Sequence, residues 1–186
     1  KRQRRSFVEP TMKPVPPRTV QVSTPTSTRA CACASALAIV AAAIAAVTER
    51  VRLLSHVYVL PYRHPLQTAK SFLTLDALSG GRAVLGAGAG HLESEFALLG
   101  ADYQGRGRAV EDAIPVIRAA FAEEYPTIGG PGAEVGVGMS PRPARPGGPP
   151  IWIGGSSAAA MRRAAQLSDG WLPQGPPKEG MRAGVA

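Results

Sequence analysis

The sequence predicts an α/β fold built on a parallel sheet, and two patterns carry that expectation. Four short runs are almost continuously apolar: residues 51–60 (VRLLSHVYVL), 82–86 (RAVLG), 151–153 (IWI) and 170–172 (GWL). Strands that lack polar alternation are buried on both faces, as in parallel sheets. Longer segments with helical character lie between them, so strand and helix alternate along the chain. Glycine and proline, 21 and 18 of 186 residues, punctuate these segments without reaching low-complexity proportions. A doubly wound open sheet and a piece of a (β/α)8 barrel both fit. Four strands are too few to close a barrel.

Residues 1–29 follow neither period. Proline, threonine and charge dominate there, and seven Lys and Arg against one Glu supply +6 of the formal +8. Residues 1–34 therefore read as a disordered, basic, proline-rich tail. The remaining chain is near neutral, which argues against a nucleic-acid surface. Arg4-Arg5-Ser6-Phe7-Val8 is similar to a twin-arginine export signal, but the proline-bearing stretch 9–29 separates it from any apolar run. That run, 30–47, is mostly alanine and gains little from lipid. The expectation is a cytoplasmic protein with no membrane contact. Cys31 and Cys33 are separated by a single residue, too close for an unstrained bridge and too few for zinc. They read as reduced thiols, and no metal site is expected.

The structured domain is expected over 35–174. Residues 35–48 are alanine-rich and favour a helix. After the strand at 51–60, residues 65–78 form a second helix stopped by Gly80 and Gly81. The strand at 82–86 runs into Ala87-Gly88-Ala89-Gly90, followed by helices over 91–99 and 108–124. Pro115 should kink the latter or mark an early turn. Arg106, Arg108 and Glu111 read as a solvated charge cluster at its start. Residues 125–150 are a long Gly/Pro-rich loop. A strand at 151–153, a helix over 157–167 capped by Ser156 or Ser157, and a strand at 170–172 complete the domain. Residues 175–186 read as a polar, disordered tail.

Parallel α/β folds bind ligands at the C-terminal ends of their strands. Two of those ends, 86–91 and 154–157, are rich in glycine and lead into helices. Such turns bring backbone N–H groups and a helix N-terminus to an anion, so a phosphorylated cofactor is expected. Gly86-Ala87-Gly88-Ala89-Gly90-His91 starts like a dinucleotide fingerprint but has histidine in the sixth place. The acidic residue that should follow at a second strand end is also missing.

The runs TERVRLLSHVYVLPYRHPLQTAKSFLTLDALSGGRAVLGAGAGHLESEFALLG, GMSPRPARPGGPPIWIGG and AAAMRRAAQLSDGWLP identify a resemblance. Over residues 36–173 the chain resembles the luciferase-like monooxygenase family, most closely its coenzyme F420-dependent subgroup. That resemblance implies a partial TIM-like (β/α)8 barrel comprising about strands three to six. It implies a flavin- or F420-dependent oxidoreductase that performs hydride transfer or oxygen activation on a small organic substrate, with F420 preferred to FMN. It places Ser55, His56 and Val57 at a bulge with a non-proline cis peptide behind the cofactor ring. Gly88, Ala89 and Gly90 pass beside the cofactor, and Ser94 can meet the ring edge. Gly154, Gly155 and Ser156 match the phosphate-binding turn. His91 matches a catalytic acid, a role that imidazole chemistry suits. Arg63 and His64 shape a loop, and Glu95 serves its helix.

Complete members carry two strands before the helix at 35–48 and further strands beyond Pro173. Residues 1–29 read as containing no strand pair, and composition suggests a reading-frame error or misassembled start upstream of about Ala34. A second expectation follows: a non-catalytic, truncated or frame-shifted remnant that at most binds phosphate or self-associates through open sheet edges.

Overall fold

The computed structural model describes residues 19–22, 34–127 and 138–174. Its elements run β1 (Thr19–Val22), α1 (Ala34–Ala46), β2 (Arg52–Ser55), β3 (Tyr58–Val59), a 3-10 turn (Leu60–Tyr62), α2 (Pro65–Ser79), β4 (Ala83–Gly88), α3 (Glu93–Leu99), α4 (Arg106–Ala122), β5 (Ile151–Gly154), α5 (Ala158–Leu167) and β6 (Gly170–Leu172). All strand pairs are parallel, in the order β1-β2-β4-β5-β6, with β3 continuing β2 alongside β4. The α/β parallel architecture is the one expected.

Two differences from expectation stand out. Within the stretch read as a tail, Thr19–Val22 forms a strand pairing with β2, Val22 opposite Ser55. Four residues are too few to show a period, and prolines stand on either side. The rest of residues 1–33, with Cys31 and Cys33, and the tail at 175–186 lie outside the described residues. The run at 51–60 is not one strand but two, interrupted at His56 and Val57. α4 passes through Pro115 without ending, and Ser157 is the cap of α5, its hydroxyl accepting from Ala160 N at 3.2 Å.

The sheet buries both faces by alternation. Leu53, Ala83, Leu85, Ala87, Ile151 and Ile153 face the helices and share one core with Phe72, Leu73, Ile114, Ile117 and Phe121. Leu54, Val84 and Leu172 form a second cluster with Val57 and Trp152. Two buried faces explain why the strands read as continuous apolar runs. None of the described helices is long and apolar enough to cross a membrane.

Side-chain anchors gather at the N-terminal ends of the strands. The Arg82 guanidinium donates to Ser79 O at 2.6 Å and to Thr48 Oγ1, Val51 O and Ala45 O, each at 3.0 Å. One residue thus closes the C-terminal ends of α1 and α2 over the start of β2. The Asp76 carboxylate, 1% exposed, accepts from Ala144 N at 2.9 Å. Arg142 donates to the carbonyls of residues 121–123, and Met139 N donates to Glu124 O at 2.8 Å. The described part of the loop, 138–150, is therefore tied to the ends of α2 and α4. Asp169 stands in for a strand partner: Oδ2 accepts from Ile151 N and its own N–H donates to Ile151 O, both at 2.8 Å.

Arg82→Met keeps the aliphatic stem and removes every one of these donors. The expected loss is about 2–3 kcal/mol, because buried carbonyls are left unpaired. A lower denaturation midpoint at unchanged m-value checks it.

Candidate functional site

The C-terminal end of the sheet is organised by a mismatch of one residue. Leu53 and Leu54 pair with Ala83 and Val84, whereas Tyr58 and Val59 pair with Ala87 and Gly88. Residues 55–57 therefore oppose only 85–86, which is a bulge. The His56–Val57 peptide is cis, at the place the resemblance implied.

Two side chains repair the interruption. Ser55, 2% exposed, accepts from Gly86 N at 2.9 Å and donates to Gly86 O at 3.1 Å. It satisfies the backbone groups that the bulge leaves without a ladder partner. Val57 projects across the neighbouring strand ends. A Cβ on Gly88 would lie 2.6 Å from Val57 Cγ2, and one on Gly154 would collide with Val57 Cγ1. These glycines are missing side chains because the Val57 isopropyl group occupies their space.

The other expected residues follow β4 and β5 in the chain. Ala89 is half-buried against the core, and Gly90 leads to His91, whose side chain is exposed. The His91 carbonyl accepts from the Tyr103 hydroxyl at 3.4 Å. Helix α3 starts at Glu93, not at His91, and Ser94 is exposed in its first turn. Across the sheet, Gly154 ends β5 and Gly155 turns at φ +125°, a conformation closed to other residues. His64 and Arg63 shape the loop after β3: His64 Nδ1 accepts from Leu66 N at 3.2 Å, and the Arg63 guanidinium lies 4.3 Å from the Tyr58 ring centre.

At the expected phosphate turn, two of the donors have other partners. Gly155 N donates to Leu172 O at 3.0 Å, and Trp171 Nε1 donates to Gly155 O at 2.7 Å. Ser156 Oγ donates to Gln174 O at 2.6 Å and accepts from Gln174 N at 2.9 Å. The turn is therefore clamped to the end of β6. Among the described residues, the N–H groups of Ser156, Ser157 and Ala158 carry no hydrogen bond. They flank the N-terminus of α5, where the helix field favours an anion.

Sequence reading missed a cluster on the other flank. Tyr62 donates to Glu95 Oε2 at 2.7 Å, and Phe96 packs edge-on against Tyr62 and Tyr103. Burial, and then Glu95, push the Tyr62 phenol well above its ordinary range, so it stays a donor. The partners are 33 residues apart, and no spacing rule connects them. Arg106 stacks over Tyr103, while Arg108 pairs with Asp112 and Arg163 with Glu111. The expected Arg106–Arg108–Glu111 cluster is thus divided among three partners. Two grooves lie away from the strand ends, one of about 310 Å³ between α1 and α2 and another of about 380 Å³ beside α4 and α5.

Residues 22–186 match the family model described as luciferase-like monooxygenase. An uncharacterized protein of Mycobacterium tuberculosis is 36% identical over 135 residues, 72% of this chain and 46% of its own. Another from the same organism, provisionally named a coenzyme F420-dependent oxidoreductase, is 33% identical over 138 residues, 68% of this chain and 40% of its own. The oxygenating component of 3,6-diketocamphane monooxygenase from Pseudomonas putida, solved with FMN, superposes with a TM-score of 0.63. It is 20% identical, covering 80% of this chain and 45% of its own. The chain spans about half the length of the curated relatives it matches.

Gly154→Ala should cost about 1–3 kcal/mol by overpacking against Val57. In a Val57→Ala background the same change should be close to neutral. A double-mutant cycle on denaturation free energies reads that coupling; additive effects would show that Val57 does not fill the glycine space.

Proposed function

The chain belongs to the luciferase-like monooxygenase family, and on that premise we propose that it carries the cofactor end of an oxidoreductase using a phosphorylated flavin-type cofactor. The observation that carries the reading is the donor set at the start of α5. The unclaimed N–H groups of Ser156, Ser157 and Ala158 suit a phosphate, and they face the same end of the sheet as the Ser55–Val57 bulge. These residues fit the anionic part of the cofactor. When bound, the cofactor would supply hydride transfer or oxygen activation.

The chain's own residues have separable tasks in this proposal. Ser156 to Ala158 hold phosphate through backbone donors. In this proposal the Gly155 N–H and the Ser156 hydroxyl hold the turn to the end of β6 and to Gln174, beside the N–H groups that meet the anion. Val57, seated between Gly88 and Gly154, gives the ring an apolar support. Ser55 is spent on Gly86 and acts by keeping the bulge in place. His56, Ala89, Gly90 and Ser94 line the same end. His91, exposed beside them, is the candidate group for holding or giving a proton near neutral pH.

Coenzyme F420 is proposed in preference to FMN. Support comes from the LSHVYVLPYRHP and GAGAGHLESEF segments and from the relative provisionally named as F420-dependent. The substrate is proposed to be a small organic molecule, in a cytoplasmic protein without nucleic-acid or membrane partners. Among the described residues β1 and β6 each have one neighbour, and self-association through those edges belongs to the same proposal. A non-catalytic remnant is the second reading, favoured by the internal hydrogen bonds that occupy Gly155 and Ser156.

Fluorescence titration of the purified chain with F420 and with FMN separates these readings. Saturable binding with F420 tighter is expected, and binding of neither would favour the remnant. Gly155→Val should abolish binding by disrupting the turn, since φ +125° and the nearby Ala160 Cβ leave no place for the side chain. The matching structural control, Ser156→Ala, should weaken binding by no more than about tenfold, or about 1.4 kcal/mol.

A further inference from the structure

Helix α3 carries Ser94 and follows His91, yet it has little to hold it. Phe96 is its one buried residue; Leu98 and Leu99 are exposed, and Leu92 gives no side-chain cap. A seven-residue helix with one buried side chain is free to rotate unless a second contact fixes it.

Tyr62 supplies that contact. Its ring centre lies 4.8 Å from that of Phe96, and its hydroxyl donates to Glu95 Oε2 at 2.7 Å. Glu95 and Phe96 are adjacent, about 100° apart around a helix, so two contacts from one tyrosine fix rotation as well as position. The Phe96 ring also fills the space beside Gly90, where a Cβ would lie 2.9 Å from Phe96 Cε2. On its far side Phe96 meets Tyr103 at 5.3 Å, and Tyr103 reaches the His91 carbonyl. The Arg106 guanidinium, 3.9 Å from the Tyr103 ring centre, closes the stack.

We propose that Tyr62 is a positioning residue: through Glu95 and Phe96 it sets the rotation of α3 and thereby the place of His91 and Ser94 at the strand ends. Tyr62 does not touch the reacting atoms. It connects the loop after the bulge to the segment after β4, so two strand ends move as one. The functional importance of that placement rests on the reading of His91 given above.

The test follows the His91 imidazole resonance through its titration by NMR, with His91→Gln identifying the signal, and amide hydrogen exchange across residues 91–99. Tyr62→Phe and Glu95→Ala are each expected to shift the His91 resonance and to speed exchange in this segment by about tenfold or more. His56 and His64 signals should stay in place. Glu95→Gln still offers an amide oxygen to the Tyr62 hydroxyl and should restore wild-type behaviour. An unchanged His91 signal and unchanged exchange in Tyr62→Phe would overturn the proposal, as would Glu95→Gln behaving like Glu95→Ala. Should Tyr62→Phe fail to fold, the two Glu95 variants alone decide it. Wild-type F420 and FMN binding combined with undiminished turnover in His91→Gln would overturn the role of His91 and leave the positioning result standing.

Discussion

Everything at the C-terminal end of this sheet depends on one extra residue. Between the Leu54–Val84 and Tyr58–Ala87 pairs, three residues of one strand face two of the next. Parallel pairing requires equal spacing, so the surplus residue must leave the ladder, and the backbone groups it leaves must find other partners. Ser55 provides both, as donor and acceptor to Gly86. Val57 is then carried over the strand ends, where Gly88 and Gly154 leave room for it. The inner face accordingly reads Val84, Gly86, Gly88 on one strand and Trp152, Gly154 on the next, apolar at the base and bare at the top.

The two ends of the sheet differ in how their polar groups are paired. At the N-terminal end, Arg82, Asp169 and one carboxylate oxygen of Asp76 bond carbonyls and N–H groups of neighbouring segments. The motifs LSGGR and SDGWLP are explained by backbone accounting: Arg82 closes two helices and Asp169 completes the start of β5 at this end, while the Trp171 indole holds Gly155 at the other. At the C-terminal end, His91 and Ser94 are exposed and three N–H groups beside α5 lack partners among the described residues.

The turn after β5 shows that residue types and the partners of their atoms are separate questions. Gly154-Gly155-Ser156 is a glycine turn before a helix, as expected. Yet the Gly155 N–H bonds the end of β6 and the Ser156 hydroxyl bonds Gln174 just beyond it, whereas the N–H groups of Ser156, Ser157 and Ala158 carry no partner among the described residues. Residue type could not reveal this, because Gln174 and Leu172 reach the turn only once β5 and β6 lie side by side.

Local sequence determined the elements of this protein. Continuous apolar runs marked the buried strands, and Pro65, Gly80 and Ser157 sit where helix ends require them. The LPYRHP and GAGAGH segments were legible as strand-to-helix turns for the same local reasons. Contacts between distant residues were decided by the tertiary structure alone. Thr19–Val22 is a strand because β2 offers it an edge, although prolines beside it hide the pattern. Val57 explains two glycines 31 and 97 residues away, and Tyr62 meets Glu95 across 33 residues. Periodicity and capping act within a few residues of chain, whereas a side chain that fills another's missing Cβ, or donates across a cleft, acts through space.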